Sequence, residues 1–244
     1  KELKKRLSIP VFHDDQHGTA VIVGAALLNA LEIQMKSIDK VKIVFLGAGA
    51  AGCSCARFLK MMGANDITMV DIKGVLSTKR NDLNEYNQDL AVITERNTFD
   101  DVISNADVFI GVSGANLMHE KHVKKMAKKP IIFALANPDP EILPSKAHAI
   151  RDDIIMATGR SDFANQVNNV LGFPFLFKGA LDAKAKHISN DMLLAASKAL
   201  AKLAKEPVPQ SVLDAYGIDE LAFGPNYLIP KPFDPRLIDT VAVA

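Results

Sequence analysis

The chain has 244 residues, 48% of them apolar and 23% charged, with a formal net charge of +1. This is an ordinary globular composition, long enough to bury a substantial core, and the near-neutral balance gives no basic footprint for nucleic acid. No apolar run approaches the roughly 20 residues a membrane span requires, and the charged start at residues 1–6 leads into no apolar stretch of a secretory signal. Taken in chain order, residues 19–32 read as a strongly apolar, alanine-rich helix with little polar face, packed inside the protein or at an interface. Residues 41–46 form an apolar, β-branched strand that runs straight into Gly47-Ala48-Gly49-Ala50-Ala51-Gly52. Residues 53–62 suit a helix, and a second apolar strand at 67–70 ends in Asp71. A short strand is expected at 90–94, a helical turn at 99–105, and a clear apolar strand at 106–112 that ends in Ser113-Gly114. An amphipathic helix at 121–128 precedes Pro130; a buried strand at 131–136 is stopped by Asn137-Pro138-Asp139-Pro140. A last strand at 154–157 closes on Thr158-Gly159. Helical patterns follow at 189–205 and, more briefly, at 209–216, after which Pro230, Pro232 and Pro235 impose an extended tail.

Short continuous apolar strands separated by helices predict an α/β fold of Rossmann type: a doubly wound, mostly parallel sheet with flanking helices. Strand, G-x-G-x-x-G turn, helix, strand and acid, in that order, are what a dinucleotide-binding βαβ unit requires. Gly47 allows the tight turn, Gly49 carries no Cβ to hold a pyrophosphate off the backbone, and Gly52 lets the helix pack close to the strand. Free N–H groups at the helix start, from Ala48, Ala50 and Ala51 onward, would face the phosphates. Asp71 would accept hydrogen bonds from a ribose with free hydroxyls and repel a 2′-phosphate, so NAD is expected over NADP. Lys73, Lys79 and Arg80 follow closely, however, and one of them could neutralise a phosphate, which keeps NADP possible. Ligands of such sheets bind off the carboxyl ends of the strands, and the turn at 47–52, Asp71, Ser113, Asn137 and Thr158-Gly159 all fall there.

Cys53 and Cys55 are the only cysteines. Two apart on a helix they do not face each other, so they read as small core residues, and the lack of a disulfide framework fits a reducing, cytoplasmic compartment. A second polar constellation, Phe12-His13-Asp14-Asp15-Gln16-His17-Gly18-Thr19-Ala20, is crowded with ionisable groups. One reading makes Asp14 or Asp15 the N-cap of the helix at residue 19; the other is a site for a hard cation, in which adjacent carboxylates cannot both face one ion.

Those nine residues, the glycine turn, Ala136-Asn137-Pro138 and the long motif GRSDFANQVNNVLGFPF at residues 159–175 together resemble the malic enzymes of the bacterial type, from about Ser8 to the C-terminus. The resemblance implies oxidative decarboxylation of (S)-malate to pyruvate and CO₂ with NAD or NADP and a Mg²⁺ or Mn²⁺ ion, in a homodimer or higher homo-oligomer. It implies that Asp15 ligates the metal with Asp14 supporting the loop, that Asn137 reaches the nicotinamide and substrate, and that Asn169, with Asn168, holds a substrate carboxylate. Asparagine amides suit that task because they donate hydrogen bonds without adding charge. In the family a smaller N-terminal domain carries the catalytic tyrosine and lysine and a Glu-Asp metal pair. None of these has a counterpart here, His13 and His17 read as loop residues, and no catalytic acid or base is assigned. The expected division is an interdomain and metal-loop segment at 1–36, the NAD(P)-binding domain at 37–178 and a C-terminal helical extension at 179–244. A malolactic enzyme, yielding lactate, and a non-catalytic NAD-binding regulatory module are the alternative readings.

Overall fold

The structure, a computed structural model, describes residue 3 and residues 6–244; the other residues of the charged start lie outside the described residues. Among the described residues, six strands form one sheet in the order β3-β2-β1-β4-β5-β6: β1 Lys42–Leu46, β2 Asp66–Asp71, β3 Gly74–Val75, β4 Val108–Gly111, β5 Ile131–Ala134 and β6 Ile155–Thr158. All neighbours pair in parallel except the short hairpin of β2 with β3. The strands run as near-continuous apolar stretches because both faces are covered. On β1, Ile43 and Phe45 join one core while Val44 and Leu46 join the other, the two-residue alternation of a pleated strand. The expected doubly wound parallel sheet is therefore what forms.

The first core carries the long helices. Helix α1, Thr19–Gln34, has nearly every residue buried, in keeping with its lack of a polar face. It packs against α2, Ala50–Met61, and α7, Asn190–Leu203. Buried Asn29 ties α1 to the C-terminal part of the chain, donating to the carbonyls of Ala201 at 2.9 Å and Leu228 at 2.8 Å. The opposite face is covered by short helices, α3 Phe99–Val102, α4 Glu120–Lys125 and α5 Pro144–Ile150. Helices α6 Phe173–Asp182, α8 Gln210–Tyr216 and α9 Leu237–Val241 complete the chain.

Two expectations are corrected. Residues 90–94 do not make a strand: a 3-10 turn spans Gln88–Leu90, and only a lone bridge joins Val92 to Ser77. Leu90 is buried while Ile93 is almost fully exposed, so the segment anchors one side chain rather than extending the sheet. The C-terminal tail is also not extended. The prolines exclude helix only up to Pro235; beyond it α9 forms and buries Leu237 and Val241 against the first core.

Candidate functional site

The carboxyl end of β1 turns through Gly47, whose φ of +117° is a conformation glycine adopts freely. A Cβ there would lie 2.6 Å from the Val112 carbonyl oxygen, and one on Gly52 would lie 2.1 Å from the Gly47 oxygen. The first and third glycines are thus demanded by close backbone approach. The middle one differs: a Cβ on Gly49 would meet nothing within 4 Å. Gly49 and Ala50 are exposed, and no side chain caps the start of α2. The open side of the turn presents unclaimed N–H groups and the positive end of the helix dipole, which suits a pyrophosphate.

Asp71 ends β2, next to this turn in the sheet. Its Oδ1 accepts from the Lys73 backbone N–H at 2.8 Å, and both oxygens are bound by the Arg80 guanidinium. Of the three cations considered from sequence, Arg80 is the one folded over Asp71. Lys73 pairs with Asp82 and Lys79 with Glu95, each on the surface.

On the other half of the sheet, a cis peptide joins Asn137 to Pro138 just beyond β5. The Asn137 amide abuts Gly159 at the end of β6, where an added Cβ would lie 3.1 Å from its Nδ2. Asn168 donates to the Gly159 carbonyl at 3.4 Å and caps the following 3-10 turn by accepting from Val170 N. Asn169 points elsewhere. It accepts from the Thr19 hydroxyl and donates to Asp14 Oδ2, each at 3.1 Å. Asn137 and Asn168 thus each border Gly159, while Asn169 is joined to the first polar constellation.

Neither aspartate of that constellation caps α1. A π-helical turn, Asp14–Gly18, leads directly into the helix, and Gly18 is the N-cap with no side-chain bond. Asp15 is exposed. Asp14 Oδ1 is buried and has no hydrogen-bond partner among the described residues, which is costly for a carboxylate oxygen unless a cation or donor serves it. Among the described residues no three acidic, histidine or cysteine side chains gather into a metal cluster. A cleft of about 760 Å³ runs from Gln16 and His17 over Ala48, Gly49 and Ala50, bringing this loop and the glycine turn to one space.

Three supporting residues escape a reading of the sequence. Glu141 is fully buried and accepts from Ser113 N at 3.0 Å and Ala136 N at 3.1 Å; burial raises its carboxyl above the usual range against the pull of these N–H groups. Asn165 donates to the Met156 and Pro225 carbonyls and accepts from Leu228 N. Lys231 is buried and donates to the Ala164 carbonyl at 2.9 Å. The one available signal was polar residues set inside apolar or proline-bounded runs. Cys53 and Cys55 behave as core residues, with burial raising both thiols and pushing Cys55 up to about 12.

The family model described as malic enzyme, NAD binding domain, matches residues 16–215. The chain belongs to the malic enzyme family. An NADP-dependent malic enzyme of Halomonas elongata is 52% identical over the whole chain, which covers 58% of that relative. An NAD-dependent malic enzyme of Rhizobium meliloti is 47% identical, again over the whole chain, which covers 32% of it. A solved NAD-dependent malic enzyme from Thermotoga maritima superposes with a TM-score of 0.84 at 42% identity, covering 99% of this chain and 61% of that one. The chain thus spans between about a third and three fifths of the length of these relatives, which include enzymes named for either nicotinamide cofactor.

Proposed function

We propose that this chain is the cofactor-binding part of a malic enzyme that converts (S)-malate to pyruvate and CO₂ with reduction of NAD or NADP and with a divalent cation. The observation that carries the reading is the open glycine turn at the carboxyl end of β1 in a parallel sheet, on the same side as the strand ends that lead into Asp71, Ser113 and Asn137.

In this reading the N–H groups of residues 48–52 bind the pyrophosphate, Asp71 meets the adenosine ribose, and Ser113 and Asn137 border the nicotinamide end. Asn168 and Asn169 orient the dicarboxylate through neutral amide donors, which avoids placing a second charge beside it. Asp15, with Asp14 behind it supporting the loop, takes part in a Mg²⁺ or Mn²⁺ site; an exposed carboxylate is the donor type such a hard ion takes. When bound, the nicotinamide supplies the hydride acceptor and the metal a Lewis acid. The general acid and base belong to the part of the family's proteins that this chain does not match, and the working unit is a cytoplasmic homodimer or larger homo-oligomer.

Calorimetric titration of the purified chain with NAD and NADP tests the binding half; each should bind, and binding of neither refutes the reading. Malate with NAD should yield no reduced cofactor from the chain alone. The intact protein should yield free pyruvate and reduced cofactor, whereas lactate without free NADH would assign it to the malolactic reaction instead.

A further inference from the structure

Glu141 sits where two loops of the crevice meet. It is 0% exposed, and each carboxylate oxygen serves a different strand end. Oε1 accepts from the backbone N–H and, at 3.4 Å, the hydroxyl of Ser113, just past β4. Oε2 accepts from the N–H of Ala136, the residue before Asn137, just past β5. The backbone around it repeats the link: the Glu141 carbonyl accepts from Met118 N at 3.0 Å, and the Pro140 carbonyl from Asn116 N at 3.1 Å. A second, independent observation comes from the sheet itself. Gly111, the last residue of β4, leaves room that the carboxylate fills, for a Cβ there would lie 2.3 Å from Glu141 Cδ. A buried acid bound to neutral N–H groups is costly to keep, and the chain keeps it between the two loops that border the nicotinamide half of a dinucleotide crevice.

We infer that Glu141 is a positioning residue for the nicotinamide end of the cofactor: by clamping the β4 and β5 loops to each other it fixes Ser113 and the peptide leading into Asn137. The inference rests on the cofactor-binding reading above. A dinucleotide lies across the two halves of such a sheet, with its adenosine over β1 and β2 and its nicotinamide over β4 and β5. The clamp touches only the second half. Its loss should therefore separate ligands that carry a nicotinamide from those that do not, whereas a merely structural role would weaken both alike.

The test is calorimetric titration of the chain with NAD and with ADP-ribose, alongside thermal unfolding. Glu141→Gln keeps the shape but turns an N–H₂ toward one of the two backbone donors. It should weaken NAD by about tenfold while ADP-ribose stays within about twofold. Gly111→Ala keeps the carboxylate but displaces it, and should give the same split; it decides the matter if Glu141→Gln fails to fold. Equal losses for both ligands, or unchanged NAD affinity in a folded variant, would overturn the assignment to Glu141 alone. A wild-type chain that binds neither ligand would instead overturn the cofactor-binding reading, and this inference with it.

Discussion

Arg80 closes over Asp71 with a two-pronged ion pair, Nη1 to Oδ1 and Nη2 to Oδ2, both at 2.8 Å. The acid expected to receive the ribose hydroxyls is thus already engaged by a cation that is itself well placed to meet a phosphate. Cofactor choice then depends on how the pair divides. Asp71→Ser should narrow the gap between NAD and NADP by removing a charge that repels the 2′-phosphate. Arg80→Ala should widen it, weakening NADP by about tenfold or more while changing NAD little, because Asp71 is left without its counter-ion. Calorimetry with both cofactors checks the pair. Equal losses for NAD and NADP in Arg80→Ala would assign Arg80 to loop structure.

The two aspartates of the first constellation should separate in a metal assay on the intact protein. Asp15→Asn is expected to raise the Mn²⁺ requirement and lower kcat by about tenfold or more, since the ion both orients substrate and stabilises developing charge. Asp14→Asn should keep Mn²⁺ affinity and cost about 1 kcal/mol of stability through its contact with Asn169. The reverse pattern would make the buried, unserved Asp14 Oδ1 the ligand.

Acid should loosen the corner between α3 and α4. His122 is 2% exposed; its Nδ1 accepts from His119 N at 2.9 Å, so Nε2 carries the proton it donates to Asp100. Burial lowers the imidazole below its ordinary value, with the Asp100 contact opposing only in part. A lowered folded-state value means the folded protein binds this proton less readily than the unfolded one. The stability it contributes is full above about pH 6.5 and is lost as pH falls through the lowered value. The Asp100 carboxyl, held down to about 2 chiefly by Lys121 and then His122, adds its own loss only in stronger acid. Urea unfolding at pH 7.5 and 5.5 should show a loss of stability in wild type that His122→Gln does not share. A pH response identical in both would remove His122 as its source.

Asn165→Ala should be among the more damaging single changes outside the apolar core. It would leave the buried Met156 carbonyl and Leu228 N–H, and the part-buried Pro225 carbonyl, without their partner, at a cost of about 2–4 kcal/mol. Denaturant unfolding measures it, and a loss under 1 kcal/mol would mean that the loop reseats itself.

The parallel sheet was legible because each strand is a short apolar run and each run stops at glycine, proline or a polar residue, signals that tertiary context had no reason to override. The glycine turn was legible because spacing alone encodes its geometry. The partners were not. Lys73, Lys79 and Arg80 are equivalent in sequence, and only their reach in three dimensions selects Arg80 for Asp71. An acid after Asn137-Pro138-Asp139-Pro140 reads as solvent-facing, yet Glu141 turns inward because Gly111, distant in sequence, leaves it space. The prolines of the tail fixed local φ but could not tell that α9 would find the core, and the two asparagines at 168 and 169 diverge although they are neighbours.

Asn29 bonds to carbonyls 172 and 199 residues further along the chain. Made on a ribosome at about 5–20 residues per second, α1 would wait roughly 10–40 s for the last of these partners to be made. During that interval one of the most apolar helices of the protein, with no polar face to turn toward water, has neither α7 nor the tail to cover it. Closing such long loops is slow, and exposed apolar surface in the meantime favours association with other chains. The contact that ties the finished helix to the C-terminal part of the chain also makes the nascent chain dependent on shelter until its final quarter has been synthesised.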